Sequence, residues 1–258
     1  MWFAISFIIA LLMVLQPQES RAQATNCKEF YFDGLIPREQ RSRILIENGK
    51  ACVHDGRLLQ SIALFSELIG LDSQNSTAYF NRGNAYMQIG QFDWGIADLD
   101  QAIKLKPDLT AAWYNRGAAL VAVHQYDRAI SDFDEVIRLD PDVARAYCNR
   151  GLARLRQQDY DAAITDAGTG IEKDKALALC YFVRGSSYEA KGEHEKAIDD
   201  LNTALTLYPR NAEGLSSRGK AYENLGERDK ALADFKAALA VDPSSENARA
   251  NLNRLAVP

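Results

Sequence analysis

Residues 76–109, STAYFNRGNAYMQIGQFDWGIADLDQAIKLKPDL, decide the fold because the chain repeats their pattern at a fixed interval. The glycine of the Arg-Gly pair in this stretch returns every 34 residues: Gly49, Gly83, Gly117, Gly151, Gly185 and Gly219. Five equal steps exclude coincidence. We therefore predict a protein built from one repeated structural unit.

The repeat divides the chain into six units and a tail. The units are 42–75, 76–109, 110–143, 144–177, 178–211 and 212–245, and the tail is 246–258. A small residue stands ten residues into every unit: Ala51, Ala85, Ala119, Ala153, Ser187 and Ala221. A branched aliphatic residue follows eleven positions later: Ile62, Ile96, Ile130, Ile164, Ile198 and Leu232. Small residues let two helices approach and aliphatic residues fill the space between them, so each unit reads as a helix pair.

This pattern resembles the tetratricopeptide repeat, a 34-residue pair of antiparallel helices. The resemblance rests on a small residue at position 8 of the repeat (Gly83), on alanine at position 20 and on proline near the end. The alanines are Ala129, Ala163, Ala197 and Ala231, and the prolines are Pro107, Pro141, Pro209 and Pro243. The resemblance implies an all-α fold, a right-handed superhelical solenoid of six helix-turn-helix repeats whose first helices line a concave groove. Residues 246–258 resemble the capping helix that such a stack needs at its open end.

The first residues differ in kind from the rest. Trp2 to Leu15 are almost wholly apolar, and Ala22-Gln23-Ala24 follows as a small-x-small cleavage sequence. About 14 apolar residues make only about 21 Å of helix, which is short of a bilayer span. We predict a signal peptide, residues 1–24, a leader, 25–41, and an exported protein that is periplasmic or secreted. The alternative is an uncleaved membrane anchor, because Arg21 and Lys28 follow the apolar run and no Lys or Arg precedes it.

An arginine and an aspartate recur together along the repeats. The arginines are Arg82, Arg116, Arg150, Arg184 and Arg218, and an aspartate stands sixteen residues after each: Asp98, Asp132, Asp166, Asp200 and Asp234. The first unit has neither, with Asn48 and Leu64 in their places. This joint presence and absence favours a structural ion pair, and a ladder of arginines for an acidic ligand is the alternative.

The resemblance also places certain side chains on the groove. These are Phe80, Asn84, Met87, Tyr114, Asn115, Val121, Arg145, Asn149, Leu152, Leu155, Leu179 and Phe182. Apolar residues on a concave face are typical of a site for a partner peptide or helix. Two alternatives stay open: the apolar residues pack between adjacent first helices, and the asparagines are structural rather than bonded to a ligand's backbone.

The fourth unit departs from the pattern, with Gly168 and Gly170 in its second helix. Because glycine weakens a helix, we predict a soft joint, a locally less stable connection, between units four and five. The alternative is that the two glycines reflect local sequence drift. Two cysteines, Cys27 and Cys52, are a possible disulfide. For Cys148 and Cys180 the simpler expectation is buried free thiols.

No catalytic motif emerges from the sequence. The three histidines occupy different repeat positions, and neither a phosphate-binding loop nor an activated nucleophile is evident. With a net charge of −5, the chain lacks the basic character typical of proteins that bind nucleic acid. We therefore predict a non-enzymatic scaffold without cofactor or metal, which binds a protein or peptide partner in the cell envelope and meets a membrane only through an uncleaved N-terminus. The alternatives are an assembly component acting through its convex face or leader, and an accessory subunit of an envelope enzyme or secretion machine.

Overall fold

The structure is a computed structural model that describes residues 36–256. Across this range the chain forms thirteen helices and no strand. The predicted signal peptide, most of the leader and Cys27 lie outside the described residues. The helices form two compact units, 36–125 and 126–256, and each is described by itself.

The first unit contains five helices that pack in chain order. They are α1 (Arg38–His54), α2 (Leu58–Leu71), α3 (Ser76–Gln88), α4 (Phe92–Leu105) and α5 (Thr110–Ala122). Its core includes Leu45, Phe65, Leu68 and Ala78, all fully buried. The first helix begins at Arg38, within the stretch that the sequence assigned to the leader.

The second unit contains eight helices, and each contacts the next. They are α6 (Tyr126–Leu139), α7 (Ala144–Arg156), α8 (Tyr160–Lys173), α9 (Ala178–Ala190), α10 (His194–Leu207), α11 (Ala212–Asn224), α12 (Arg228–Val241) and α13 (Glu246–Ala256). In addition, α9 packs against both α7 and α11. The predicted all-α fold of paired helices is thus confirmed.

The turn inside each helix pair has one left-handed residue at a constant repeat position. Glycine supplies it four times, at Gly56, Gly90, Gly192 and Gly226, with φ between 73° and 80°. His124 and Gln158 supply it in the other two turns, with φ of 62° and 66°. Left-handed backbone strains any residue that carries a Cβ, so these two turns are less favourable than the glycine turns.

Glycine at position 8 of the repeat lets the two helices of a pair touch. A Cβ on Gly219 would lie 2.7 Å from the Phe235 ring, and one on Gly185 would lie 2.8 Å from Leu201 Cγ. Burying a side chain such as Phe235 contributes about 2 kcal/mol. Any larger residue at these glycines would push the buried partner out of place.

The recurring arginines and aspartates join the two helices of a pair. Arg150 donates from Nη2 to Asp166 Oδ1 at 2.6 Å and from Nε to Oδ2 at 2.9 Å. The same two-point contact joins Arg82 to Asp98, Arg184 to Asp200 and Arg218 to Asp234. These aspartate side chains are at most 10% exposed. The predicted structural role is confirmed for these four pairs.

The capping helix α13 closes the core at the end of the second unit. Ala248 is fully buried against Ala238, Leu205 and Leu215. Arg249, Asn253 and Arg254 of α13 are exposed, and Arg254 donates hydrogen bonds to Glu223 of α11. One face of α13 is therefore apolar and the other polar, as a cap requires.

Cys148 and Cys180 form a disulfide, and the expectation of free thiols is wrong. Their Cα atoms lie 4.8 Å apart, within the range for a disulfide. Room for the sulfurs comes from Gly170 of α8, where a Cβ would lie 2.6 Å from Cys148 Sγ and 2.7 Å from Cys180 Sγ. Cys52 is fully buried in α1, and its bond to Cys27 stays a prediction.

Candidate functional site

A cavity of about 760 Å³ opens in the second unit between the first helices of three successive repeats. Its walls come from α7, α9 and α11, and α13 adds Glu246 and Asn247 at one end. These three first helices lie side by side because α9 packs against α7 on one side and α11 on the other. The cavity therefore lies where the repeat places its groove.

One wall of the cavity is apolar. It contains Leu152 and Leu155 of α7 and Leu179 and Phe182 of α9. Leu155 keeps part of its side chain exposed, whereas the other three are at most 6% exposed. Leu152, Leu179 and Phe182 thus contribute mainly to packing, and Leu155 offers the accessible apolar contact.

Another part of the lining is polar and carries hydroxyl groups. Ser186 Oγ donates to Ser217 Oγ at 3.2 Å, which links α9 to α11. The Ser216 hydroxyl is buried and has no hydrogen-bond partner among the described residues. A buried hydroxyl without a partner costs free energy, whereas the half-buried Ser217 offers an accessible hydroxyl to a ligand in the cavity.

Charged side chains surround these hydroxyls. Burial raises the pKa of the Glu189 carboxyl, and the charges of Lys220 and His194 oppose that shift. At the rim, Arg156 Nη2 donates to Glu213 Oε2 at 2.6 Å, which joins the end of α7 to the start of α11. The cavity thus combines an apolar wall with charges of both signs.

Six predicted groove residues lie in the first unit, on α3 and α5. Asn115 Nδ2 donates to Asn84 Oδ1 at 2.8 Å, which couples these two helices. Met87, Tyr114 and Val121 are at most 6% exposed, and Phe80 is half-buried. In this unit Asn84 and Asn115 thus bond each other, and Met87, Tyr114 and Val121 are packed inside.

The remaining predicted residues, Arg145 and Asn149, lie on α7. Asn149 Nδ2 donates to the Arg145 carbonyl oxygen at 2.9 Å, within its own helix. Arg145 is exposed. Neither residue lines the cavity. Of the twelve predicted groove residues, the structure brings Leu152, Leu155, Leu179 and Phe182 together there.

Sequence reasoning missed the polar half of the cavity. Glu213, Ser216 and Lys220 occupy positions 2, 5 and 9 of the sixth repeat, and Ser186 and Glu189 occupy positions 9 and 12 of the fifth. These are the same positions that supplied the predicted residues in earlier repeats. Reading them through to the last repeat would have found this wall.

Two further features bear on the class of site. Within residues 36–256, no group of three His, Cys, Asp or Glu side chains is placed to hold a metal ion. Across the same part of the chain, none of the helices has the length and apolar character needed to cross a bilayer.

Comparisons with protein families identify the repeat. Models described as tetratricopeptide repeat match residues 76–109, 114–178 and 212–245, and one described as TPR repeat matches 185–226. Together these matches cover more than half of the chain. A comparison with curated proteins found none that matches.

Several solved structures resemble the chain. The APC/C hetero-tetramer Cut9–Hcn1 gives a TM-score of 0.72 at 18% identity over 83% of this chain, which spans only 42% of that chain. PilF of Pseudomonas aeruginosa gives 0.70 at 15% identity, covering 84% of this chain and 99% of that one. YrrB, described as a TPR protein with an unusual peptide-binding site, gives 0.54 at 19% identity, with 72% and 96% covered. At such identities the likeness shows the fold alone.

Proposed function

The chain belongs to the tetratricopeptide-repeat family, and from that premise we propose that it is a non-catalytic scaffold that binds an extended segment of a partner protein. Proteins of this family are typically interaction modules. The proposed binding site is the cavity of the second unit, lined by α7, α9, α11 and α13.

The observation that carries the proposal is a cavity whose lining combines apolar side chains with accessible hydroxyl and charged groups. Leu155 and the half-buried Tyr160 offer apolar contact for one side chain of a peptide. Ser217 and Lys220, which are half-buried in the lining, offer groups that bond a peptide backbone. An extended peptide presents side chains and backbone polar groups on different sides, so it matches both walls.

An oxidising location in the cell envelope forms part of the same proposal. Disulfides persist in exported proteins and are rare in reducing compartments. The bond between Cys148 and Cys180 therefore supports export, as does the signal-like sequence at residues 1–24. Protease accessibility in intact cells tests this location: protection of the repeats together with the cytosolic proteins would contradict it.

The binding site is tested by selecting peptides from a random display library with the purified chain and then measuring their affinities. Leu155→Glu places a charge on the accessible apolar wall, and we expect selected peptides to bind at least about tenfold more weakly. Leu207→Glu is the matched control because Leu207 is 42% exposed and does not line the cavity. Circular dichroism checks that both variants fold.

Two outcomes would overturn the proposal. Either the library yields no peptide that binds the intact chain, or Leu155→Glu and Leu207→Glu bind the selected peptides equally well. Phe182 also lines the cavity, but it is only 2% exposed, so its substitution would test folding instead of binding.

A further inference from the structure

The arginines of the repeats make a second contact that reaches into the preceding repeat. In four repeats the Nη1 atom donates to a residue sixteen positions upstream, at distances between 2.5 and 2.9 Å. These contacts are Arg82 to Ser66, Arg116 to Asp100, Arg150 to Asp134 and Arg218 to Asn202. Each arginine therefore links its own repeat to the one before it.

The fifth repeat breaks this series. Its arginine, Arg184, bonds Asp200 within its own repeat. Sixteen residues upstream lies Gly168, which has no side chain to accept the second bond. Among the described residues, the arginine link is therefore missing between repeats four and five, although an ion pair between Lys191 and Asp161 joins them at the exposed surface.

The Cys148–Cys180 disulfide lies at this same joint. Cys148 belongs to α7 in the fourth repeat and Cys180 to α9 in the fifth, and both are at most 1% exposed. The helix that covers them, α8, also carries Gly168 and Gly170. Gly170 is needed because a Cβ there would overlap both sulfurs. In α8, position 168 therefore has no side chain to accept the arginine bond, and position 170 leaves room for the disulfide.

We propose that this disulfide replaces the missing arginine link, and that the cavity keeps its binding shape only while the disulfide is intact. This inference rests on the proposed peptide-binding function. Cys148 stands one helical turn before Leu152, and Cys180 lies between Leu179 and Phe182. The bond thus fixes the two helices that build the apolar wall. Partner binding is consequently restricted to oxidising conditions.

Loss of the bond is a two-electron reduction. A dithiol supplies two electrons and two protons, the Cys148–Cys180 sulfur–sulfur bond breaks, two cysteine thiols form, and the dithiol becomes a disulfide. Because the sulfurs are buried, the reductant reaches them only when α8 opens. The two glycines lower the helical stability of α8 and so favour that opening.

The test compares the full chain before and after dithiothreitol treatment, by hydrogen exchange and by affinity for a library-selected peptide. Mass spectrometry first establishes that Cys148 and Cys180 are joined in the untreated protein. We expect reduction to speed amide exchange in α8 by about tenfold or more and to weaken peptide binding by about tenfold. Cys148→Ala with Cys180→Ala isolates this pair from the other two cysteines and should behave like the reduced protein.

A rescue variant tests the replacement itself. Gly168→Asp supplies the acceptor that Arg184 lacks, at a position with nothing within 4 Å of the added Cβ. In the double-alanine background it should restore slow exchange in α8 and peptide binding. Gly168→Ala is the matched control because it adds helix propensity without an acceptor, so it should restore less.

Four results would overturn the inference: an unjoined Cys148 and Cys180 in the native protein, equal α8 exchange in both redox states, equal peptide affinity in both redox states, or equal rescue by Gly168→Ala and Gly168→Asp. Failure of the proposed function is distinguishable from all four. If no peptide binds in either redox state, the binding function fails, whereas the exchange data still decide whether the disulfide holds the joint.

Discussion

At the residue scale, the paired arginines and aspartates are sites where loss of one partner should be costly, because the other charge is left partly buried without its counter-charge. Asp234 is 8% exposed and accepts two hydrogen bonds from Arg218, at 2.7 and 2.8 Å. The pKa of Arg218 is raised, first by this hydrogen bond. The sequence revealed the pair because both residues are absent together from the first repeat.

Asp234→Ala should lower the free energy of unfolding by about 3 kcal/mol, because it leaves Arg218 half-buried without its counter-charge. Urea denaturation measures the loss. Glu135→Ala is the control: Glu135 makes the same two-point contact with Arg138, but that arginine is 66% exposed, so little change is expected. Equal losses in the two variants would contradict a structural role for the buried pair.

Glu189 is the residue at which stability should depend on pH. Its pKa in the folded protein is raised by burial, so the folded state disfavours the charged carboxylate. The contribution of Glu189 to stability is therefore largest below the ordinary pKa of glutamate, 4.5, and decreases as the pH rises through the raised value.

Glu189→Gln should accordingly stabilise the protein at pH 7, by less than about 1 kcal/mol because the carboxyl is partly solvated. The gain should shrink as the pH falls to about 4, where the wild-type carboxyl is protonated in both states. Urea denaturation at the two pH values measures it. A variant that is less stable than wild type at pH 7 would show that attraction to Lys220 outweighs burial.

At the scale of the element, the turns within the repeats offer a direct comparison. Gln158 has a φ of 66° at the position where four other repeats have glycine. Gln158→Gly should raise the free energy of unfolding by about 0.5–1 kcal/mol by relieving left-handed strain. The reverse change, Gly192→Gln, should lower it by a similar amount. The same urea series checks both, and opposite signs would refute strain at this position.

Sequence reasoning predicted the helix pairs because small and aliphatic residues recur at fixed positions. It did not predict left-handed backbone at His124 and Gln158, since neither residue type signals that conformation as glycine does. It interpreted Gly170 only as a weak point in the helix, whereas the structure shows that this glycine also makes room for two sulfurs. The role of Gly170 depends on contacts between neighbouring repeats, which a single sequence does not show.

At the scale of the whole molecule, successive repeats depend on their neighbours for burial, so the last helix matters more than its length suggests. Ala248 of α13 covers Leu205, Leu215 and Ala238. Deleting residues 246–258 should destabilise the second unit by about 2 kcal/mol through exposure of that core. Deleting residues 257–258 alone is the control. Equal denaturation midpoints for the two truncated chains would contradict a capping role.

The sequence alone predicted only part of the function of the whole molecule. The family and its general role as an interaction scaffold followed from the 34-residue period. Four apolar cavity residues were predicted because the resemblance marks groove positions. The polar wall was missed because serine and lysine resemble ordinary surface residues, although they occupy the same repeat positions as the predicted groove residues.

Photo-crosslinking from inside the cavity tests the central claim, that this cavity binds a partner segment, most directly. A benzophenone amino acid replaces Leu155 in one chain and Leu207 in another, and each chain is irradiated with a library-selected peptide. The account predicts an adduct from position 155 that excess unlabelled peptide abolishes, and none from position 207. Adducts from position 207 but not from position 155 would contradict it.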